Sequence, residues 1–239
     1  MANIRPIFPG VFTVGSVLCG FYSIISAAEG NPTRASWLIL LAGLLDGFDG
    51  KVARLSGGAS DLGREFDSLA DFISFGVAPA FLVYTFKLNA FGNLGWVIGL
   101  IYIVASGYRL ARFNLLAQSE EKGNFLGLPV PMAAVTLSSF ILFCIAIWGQ
   151  VEYHEYIITM MILFSALMVS QIEYDALPDK FNTKANRLKL LYVVIVGAAV
   201  LIKPSLLIFP LFILYIVFGL VREGLRIVKN ANSGVSGEQ

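Results

Sequence analysis

The chain alternates long apolar runs with short polar clusters, and the runs have the length of membrane-crossing helices. Crossing the hydrocarbon of a bilayer takes about 20 mostly apolar residues. Eight segments qualify, at roughly 10–28, 34–54, 63–86, 92–115, 131–149, 154–172, 187–202 and 205–222. The last two form one apolar stretch interrupted by Lys203 and Pro204. Proline cannot continue the first of these helices without losing a hydrogen bond, so a tight hairpin is predicted there. The expected fold is an all-α, polytopic transmembrane helix bundle of eight spans. A six-helix core occupies residues 1–175, an added helical hairpin 176–222, and a polar tail 223–239 is expected to be disordered.

Charge orients this path. With the N-terminus in the cytoplasm, every basic residue except Arg34, Lys87 and Lys203 falls on the cytoplasmic side. The positive-inside rule therefore predicts a multi-pass protein of the cell membrane with both termini cytoplasmic. Composition agrees: 57% of residues are hydrophobic and 14% charged, where a soluble domain keeps about a quarter of its residues charged. The net charge of +1 implies no bulk attraction to nucleic acid, and no nucleic-acid partner is expected. Cys19 and Cys144 fall inside apolar runs and are read as buried thiols, with no disulfide inferred. The first residues lack a signal-peptide cleavage pattern, so the first apolar run is expected to be a retained helix.

One stretch breaks the apolar pattern in an informative way: DGFDGKVARLSGGASDLGREFDSLAD, residues 46–71. The glycine-serine group at 56–60 reads as a turn joining two antiparallel helices. At about 100° per residue, Asp46, Asp49, Gly50, Ala53 and Arg54 share one face of the first helix, and Gly63, Asp67 and Asp71 share one face of the second. Each helix thus offers a pair of carboxylates. A single acid at the centre of a bilayer costs about 2.5–3.5 kcal/mol on insertion scales, and four together repel one another. A divalent cation, or a pair, relieves both costs. An all-oxygen donor set without His or Cys suits Mg²⁺, Mn²⁺ or Ca²⁺. The small residues leave room for a bulky ligand, and Arg54 brings a guanidinium suited to phosphate oxygens. Together these features describe a phosphoryl-transfer site. The competing readings are a cation-coupled transporter, which leaves Arg54 unexplained, and a non-catalytic scaffold, which leaves the acids unexplained.

The stretch resembles the signature of the CDP-alcohol phosphotransferases, D-x2-D-G-x2-A-R-x8-G-x3-D-x3-D, matched at Asp46, Asp49, Gly50, Ala53, Arg54, Gly63, Asp67 and Asp71. The resemblance implies a six-helix membrane core, a homodimer, and displacement of CMP from a CDP-activated lipid or alcohol. It implies that Asp46, Asp49, Asp67 and Asp71 hold two divalent ions, Mg²⁺ or Mn²⁺, and that Asp71 is also the general base. It places Gly50, Ala53, Arg54, Ser60 and Gly63 at CDP-binding positions. The segment FTVGSVLCG resembles a stretch lining the nucleotide site, with Thr13 matching and Ser16 replacing the usual asparagine. The strings YRLARFNLL (108–116), FLGLPVPMA (125–133) and LMVSQIEYD (167–175) are similar to the branch that transfers a phosphatidyl group to serine. The substrates implied are a CDP-lipid and L-serine, met in the lipid bilayer from the cytoplasmic side. Arg109 and Arg112, spaced i,i+3, are then expected to clamp the serine carboxylate, and Asn114 to bond the amino acid or orient an arginine. The GLPVP turn is expected to shape a loop. Other acceptors, namely inositol phosphate, glycerol phosphate or choline, are the alternatives within the family.

Overall fold

A computed structural model describes residues 7–55, 61–118, 125–150, 154–174 and 202–235. They form a helical bundle: α1 (Ile7–Ala28), α2 (Pro32–Leu55), α3 (Asp61–Asp71), a π-helical segment (Phe72–Val77), α4 (Ala78–Phe86), a short 3₁₀ turn (Leu88–Phe91), α5 (Asn93–Gln118), α6 (Val130–Trp148), α7 (His154–Val169) and α8 (Pro204–Val235). Two-residue strands β1 (Phe125–Leu126) and β2 (Glu173–Tyr174) pair antiparallel, Phe125 opposite Tyr174.

Local sequence accounts for the first hairpin. Gly30 takes a left-handed conformation with φ of 75° at the end of α1. Asn31 then caps α2, its side-chain oxygen accepting the Arg34 N–H at 2.9 Å. Pro32, whose missing N–H costs nothing at a helix start, follows as the first helical residue.

The third expected span is not one regular helix. In an α-helix the N–H of residue 79 would bond the carbonyl of Phe75, but residue 79 is proline. The chain widens into the π segment, the Ala78 N–H reaching back to the Ile73 carbonyl. The buried Tyr102 hydroxyl donates to the released Phe75 carbonyl at 3.3 Å. Ser74 docks the segment on α1, donating to the Ser16 carbonyl at 2.9 Å. Gly20 permits that approach, since a Cβ there would lie 2.7 Å from the Ser74 Cα.

Among the described residues, five helical stretches are long and apolar enough to cross a membrane: Gly10–Ala28, Leu62–Phe86, Asn93–Leu116, Val130–Trp148 and Pro204–Gly224. The chain is thus a multi-pass membrane protein. α2 falls outside that set because Arg34, Asp46, Asp49, Lys51 and Arg54 interrupt it, and α7 is shorter. The expected seventh span, 187–202, lies outside the described residues save its last. The core is built on α6, whose Leu137, Ile141 and Cys144 are fully buried, with Phe75, Tyr102, Met161 and Phe164 from its neighbours. α8 leans on this core through Phe209, whose ring lies 5.0 Å from that of Phe140 and 5.4 Å from that of Phe143. Its other side exposes Leu214, Val217, Phe218 and Val221, a surface that only lipid or a partner would cover. The helix continues to Val235, well past residue 222, where a disordered tail was expected to begin. The strong helix formers and apolar residues of REGLRIVK (222–229) carry it onward.

Candidate metal centre

The last turns of α2 and the whole of α3 bring the acids together. Ligand oxygens from Asp46, Asp67 and Asp71 all lie within 4.8 Å of one another. Asp46 and Asp71 are direct side-chain partners across the two helices. Asp49, one turn beyond Asp46, points to a different neighbour. It is 5% exposed, and its Oδ2 accepts a hydrogen bond from the Thr13 hydroxyl of α1. Its Oδ1 is buried with no hydrogen-bond partner. The Asp49 charge is nonetheless felt by Asp46 and Asp67. Three of the four predicted ligands thus form one cluster, and the fourth, on α2, stands beside it bonded to α1.

These residues fit a divalent cation. Three converging carboxylates repel unless a positive charge lies among them, the donors are all oxygen, and an orphaned buried carboxylate oxygen is the kind of atom an ion satisfies. Asp46, Asp67 and Asp71 would be the principal ligands, with Asp49 adjacent. Space for a ligand exists next to them: a Cβ placed on Gly47 or on Gly50 meets no other atom within 4 Å. Gly63 lies on α3 one turn before Asp67. Ala53 and Arg54 occupy the final turn of α2, and Ser60 lies outside the described residues.

Around this centre the remaining predicted residues part into two groups. Arg109 of α5 is 7% exposed and interacts electrostatically with Asp71. Its guanidinium lies over the Phe113 ring, 5.2 Å from the centroid, and its Nε has no hydrogen-bond partner. Arg112, one turn later, is engaged elsewhere. It donates to the carbonyls of Val169 and Ser170, both at 3.0 Å, and of Met168 at 3.4 Å. Those are the unpaired carbonyls at the end of α7. Of the two arginines expected to clamp the acceptor, Arg112 caps a helix and Arg109 lies by Asp71. Asn114 bridges α5 to α3: its amide donates to Ser68 at 3.0 Å and to Glu65 at 3.4 Å, and Ser68 donates back at 3.2 Å. Ser16 shares its hydroxyl with Ser74 at 3.4 Å, which spends it on the junction between α1 and the π segment.

The GLPVP turn is a structural joint, as expected. Gly127 has φ of 78°, and a Cβ there would lie 2.4 Å from the Met168 carbonyl. Its N–H bonds the Ile172 carbonyl at 2.9 Å, and that of Leu128 bonds Leu167 at 3.0 Å. Sequence reading missed the Thr13–Asp49 bond and the support of the π segment by Tyr102. Pro79 carried the signal for the second. For the first the only hint was a hydroxyl in an apolar run.

Comparison with known proteins agrees with this geometry. A family model described as CDP-alcohol phosphatidyltransferase matches residues 6–172. The chain is 33% identical over 228 residues to a CDP-diacylglycerol–serine O-phosphatidyltransferase of Helicobacter pylori, covering 93% of each chain. It is 32% identical over 220 residues to the enzyme of the same name from Mycobacterium tuberculosis, covering 87% of this chain and 75% of that one. It is 38% identical over 168 residues to an archaetidylserine synthase of Methanothermobacter thermautotrophicus, covering 70% and 68%.

Proposed function

The chain belongs to the CDP-alcohol phosphatidyltransferase family, and from that premise we propose that it transfers the phosphatidyl group, or its archaetidyl counterpart, from a CDP-lipid to the hydroxyl of L-serine and releases CMP. The observation that carries the acceptor is Arg109: a buried guanidinium beside Asp71 with a donor to spare. Serine places a carboxylate a short distance from its hydroxyl, so an arginine next to the base suits it. The printed names of relatives matched over most of their length point the same way.

The residues then have distinct tasks. Asp71 accepts the proton of the serine hydroxyl as that oxygen attacks the phosphorus bearing the lipid. The bond from phosphorus to the CMP oxygen breaks, and CMP leaves with the electron pair. Arg109 fixes the acceptor carboxylate so that hydroxyl and base meet in one geometry. The open surface at Gly47 and Gly50 receives the nucleotide end, with Ala53, Arg54, Ser60 and Gly63 assigned to CDP by the family signature. A divalent metal, Mg²⁺ or Mn²⁺ and two ions in this reading, would supply Lewis-acid polarisation of the pyrophosphate. Asn114 and Arg112 hold α3 and α7 against α5 and touch no substrate. The chain crosses the cell membrane eight times as a homodimer, with both termini and the aspartate end in the cytoplasm; the distribution of basic residues supports that orientation.

The test is CMP release by the purified protein with one CDP-lipid and a panel of acceptors, without any ion gradient. Serine-dependent release is expected. Release driven instead by inositol phosphate, glycerol phosphate or choline would overturn the acceptor, and no release with any alcohol would overturn the activity.

A further inference from the structure

We infer that Thr13 is a positioning residue for Asp49: it fixes one carboxylate oxygen so that the other faces the metal centre, and it acts through that carboxylate, not by touching the nucleotide. This rests on the metal reading above. Asp49 and Thr13 are on different helices, and both are almost fully buried, at 5% and 4% exposure. The Thr13 hydroxyl donates to Oδ2 of Asp49. That bond removes the freedom of the carboxylate to rotate about its last torsion. The remaining oxygen, Oδ1, is buried and meets no donor, although buried carboxylate oxygens are otherwise satisfied. No described side chain of α1 or α2 fills that need, while the Asp49 charge acts on both Asp46 and Asp67 and so lies close to the cluster. One oxygen held and one left open is the arrangement of a metal-binding carboxylate oriented by an outer partner. The packing of α1 against the π segment keeps Thr13 in place, through Ser16, Ser74 and Gly20.

The experiment measures Mn²⁺ binding to the metal-stripped, full-length protein without substrate, by the paramagnetic resonance signal of free Mn²⁺. Loss of an outer-shell partner weakens a metal by about ten- to a hundredfold. Thr13→Val keeps the shape and removes the hydroxyl, so it should weaken binding in that range. Thr13→Ser should restore it. In an Asp49→Asn background, Thr13→Val should cause no further loss, because the carboxylate it serves is gone. If Thr13→Val does not yield folded protein, Thr13→Ala gives the same comparison without adding bulk. Unchanged Mn²⁺ affinity in the hydroxyl-free variant would overturn the inference. So would an equal loss in the Asp49→Asn background. If the wild-type protein binds no Mn²⁺, the metal reading falls and takes this inference with it.

Discussion

Two places where helices meet treat their polar atoms differently. At the junction of α5, α7 and the Gly127 turn, the described polar groups are matched. Arg112 covers three carbonyls, Gly127 and Leu128 bond the chain at the end of α7, and β1 pairs with β2. At the junction of α2, α3 and α5, three carboxylates converge with Arg109 beside one of them, Asp49 keeps an open oxygen, and Arg109 keeps an open nitrogen. Unsatisfied buried groups are costly in a protein, and two of them beside three converging carboxylates suit a ligand. The contrast also separates two arginines a single turn apart on α5. Arg112 is engaged by the end of α7, and Arg109 lies among the acids, where the proposed function gives it the acceptor.

The largest effects should come at the aspartate junction. Asp71→Asn keeps the shape of the side chain and removes its basicity. Turnover should fall by about a hundred- to ten-thousandfold, as for loss of a general base, while membrane insertion and thermal stability stay near wild type. Near-normal turnover in an Asp71→Asn enzyme would remove Asp71 from the proton transfer. Arg109→Ala should come next in size. A hydrogen bond to a charged group is worth about 1.5–3 kcal/mol, so the serine KM should rise by about ten- to a hundredfold with little change in that for the CDP-lipid. Equal increases in both constants would mean that Arg109 shapes the site without touching the acceptor.

At the closed end the effects should fall on stability. Gly127→Ala forces a side chain into a left-handed backbone and against the Met168 carbonyl. The backbone conformation alone costs about 1–3 kcal/mol, visible as a lower melting temperature of the purified protein. Arg112→Ala should behave alike, through the carbonyls it uncovers, and should leave the serine KM of the folded fraction unchanged. A serine KM that rises as much in Arg112→Ala as in Arg109→Ala would mean that both arginines hold the acceptor. The smallest effect belongs to Asn114→Ala, which loosens α3 from α5. About 1 kcal/mol of stability is at stake in each such neutral hydrogen bond, and turnover should drop by a few-fold through imprecise placement of Asp71.

The membrane character and the aspartate centre were legible because they rest on repetition and spacing. Apolar runs of helical length announce themselves one by one, and acids spaced three and four apart must share a helix face. The pairing of Asp46 with Asp71 is what the turn expected from the glycine-serine sequence at 56–60 would allow. What escaped was long-range and depended on which helix lies beside which. The sequence has Arg109 and Arg112 in equivalent positions, and only the placement of α7 against α5 spends one of them. Likewise Ser16 and Thr13 look alike as hydroxyls in an apolar helix, yet one serves the π segment and the other a carboxylate. The π segment itself was readable in principle, since Pro79 must release the Phe75 carbonyl, but the partner that accepts the consequence, Tyr102, lies 27 residues away from Phe75.

In the proposed reaction the hydroxyl of serine attacks the lipid-bearing phosphorus at this aspartate centre. Serine labelled with heavy oxygen in its hydroxyl, incubated with CDP-diacylglycerol and the purified protein, tests it directly by mass spectrometry of both products. The label should be retained in the phosphodiester of a phosphatidylserine and absent from CMP. An unlabelled lipid product, or label in CMP, would contradict it.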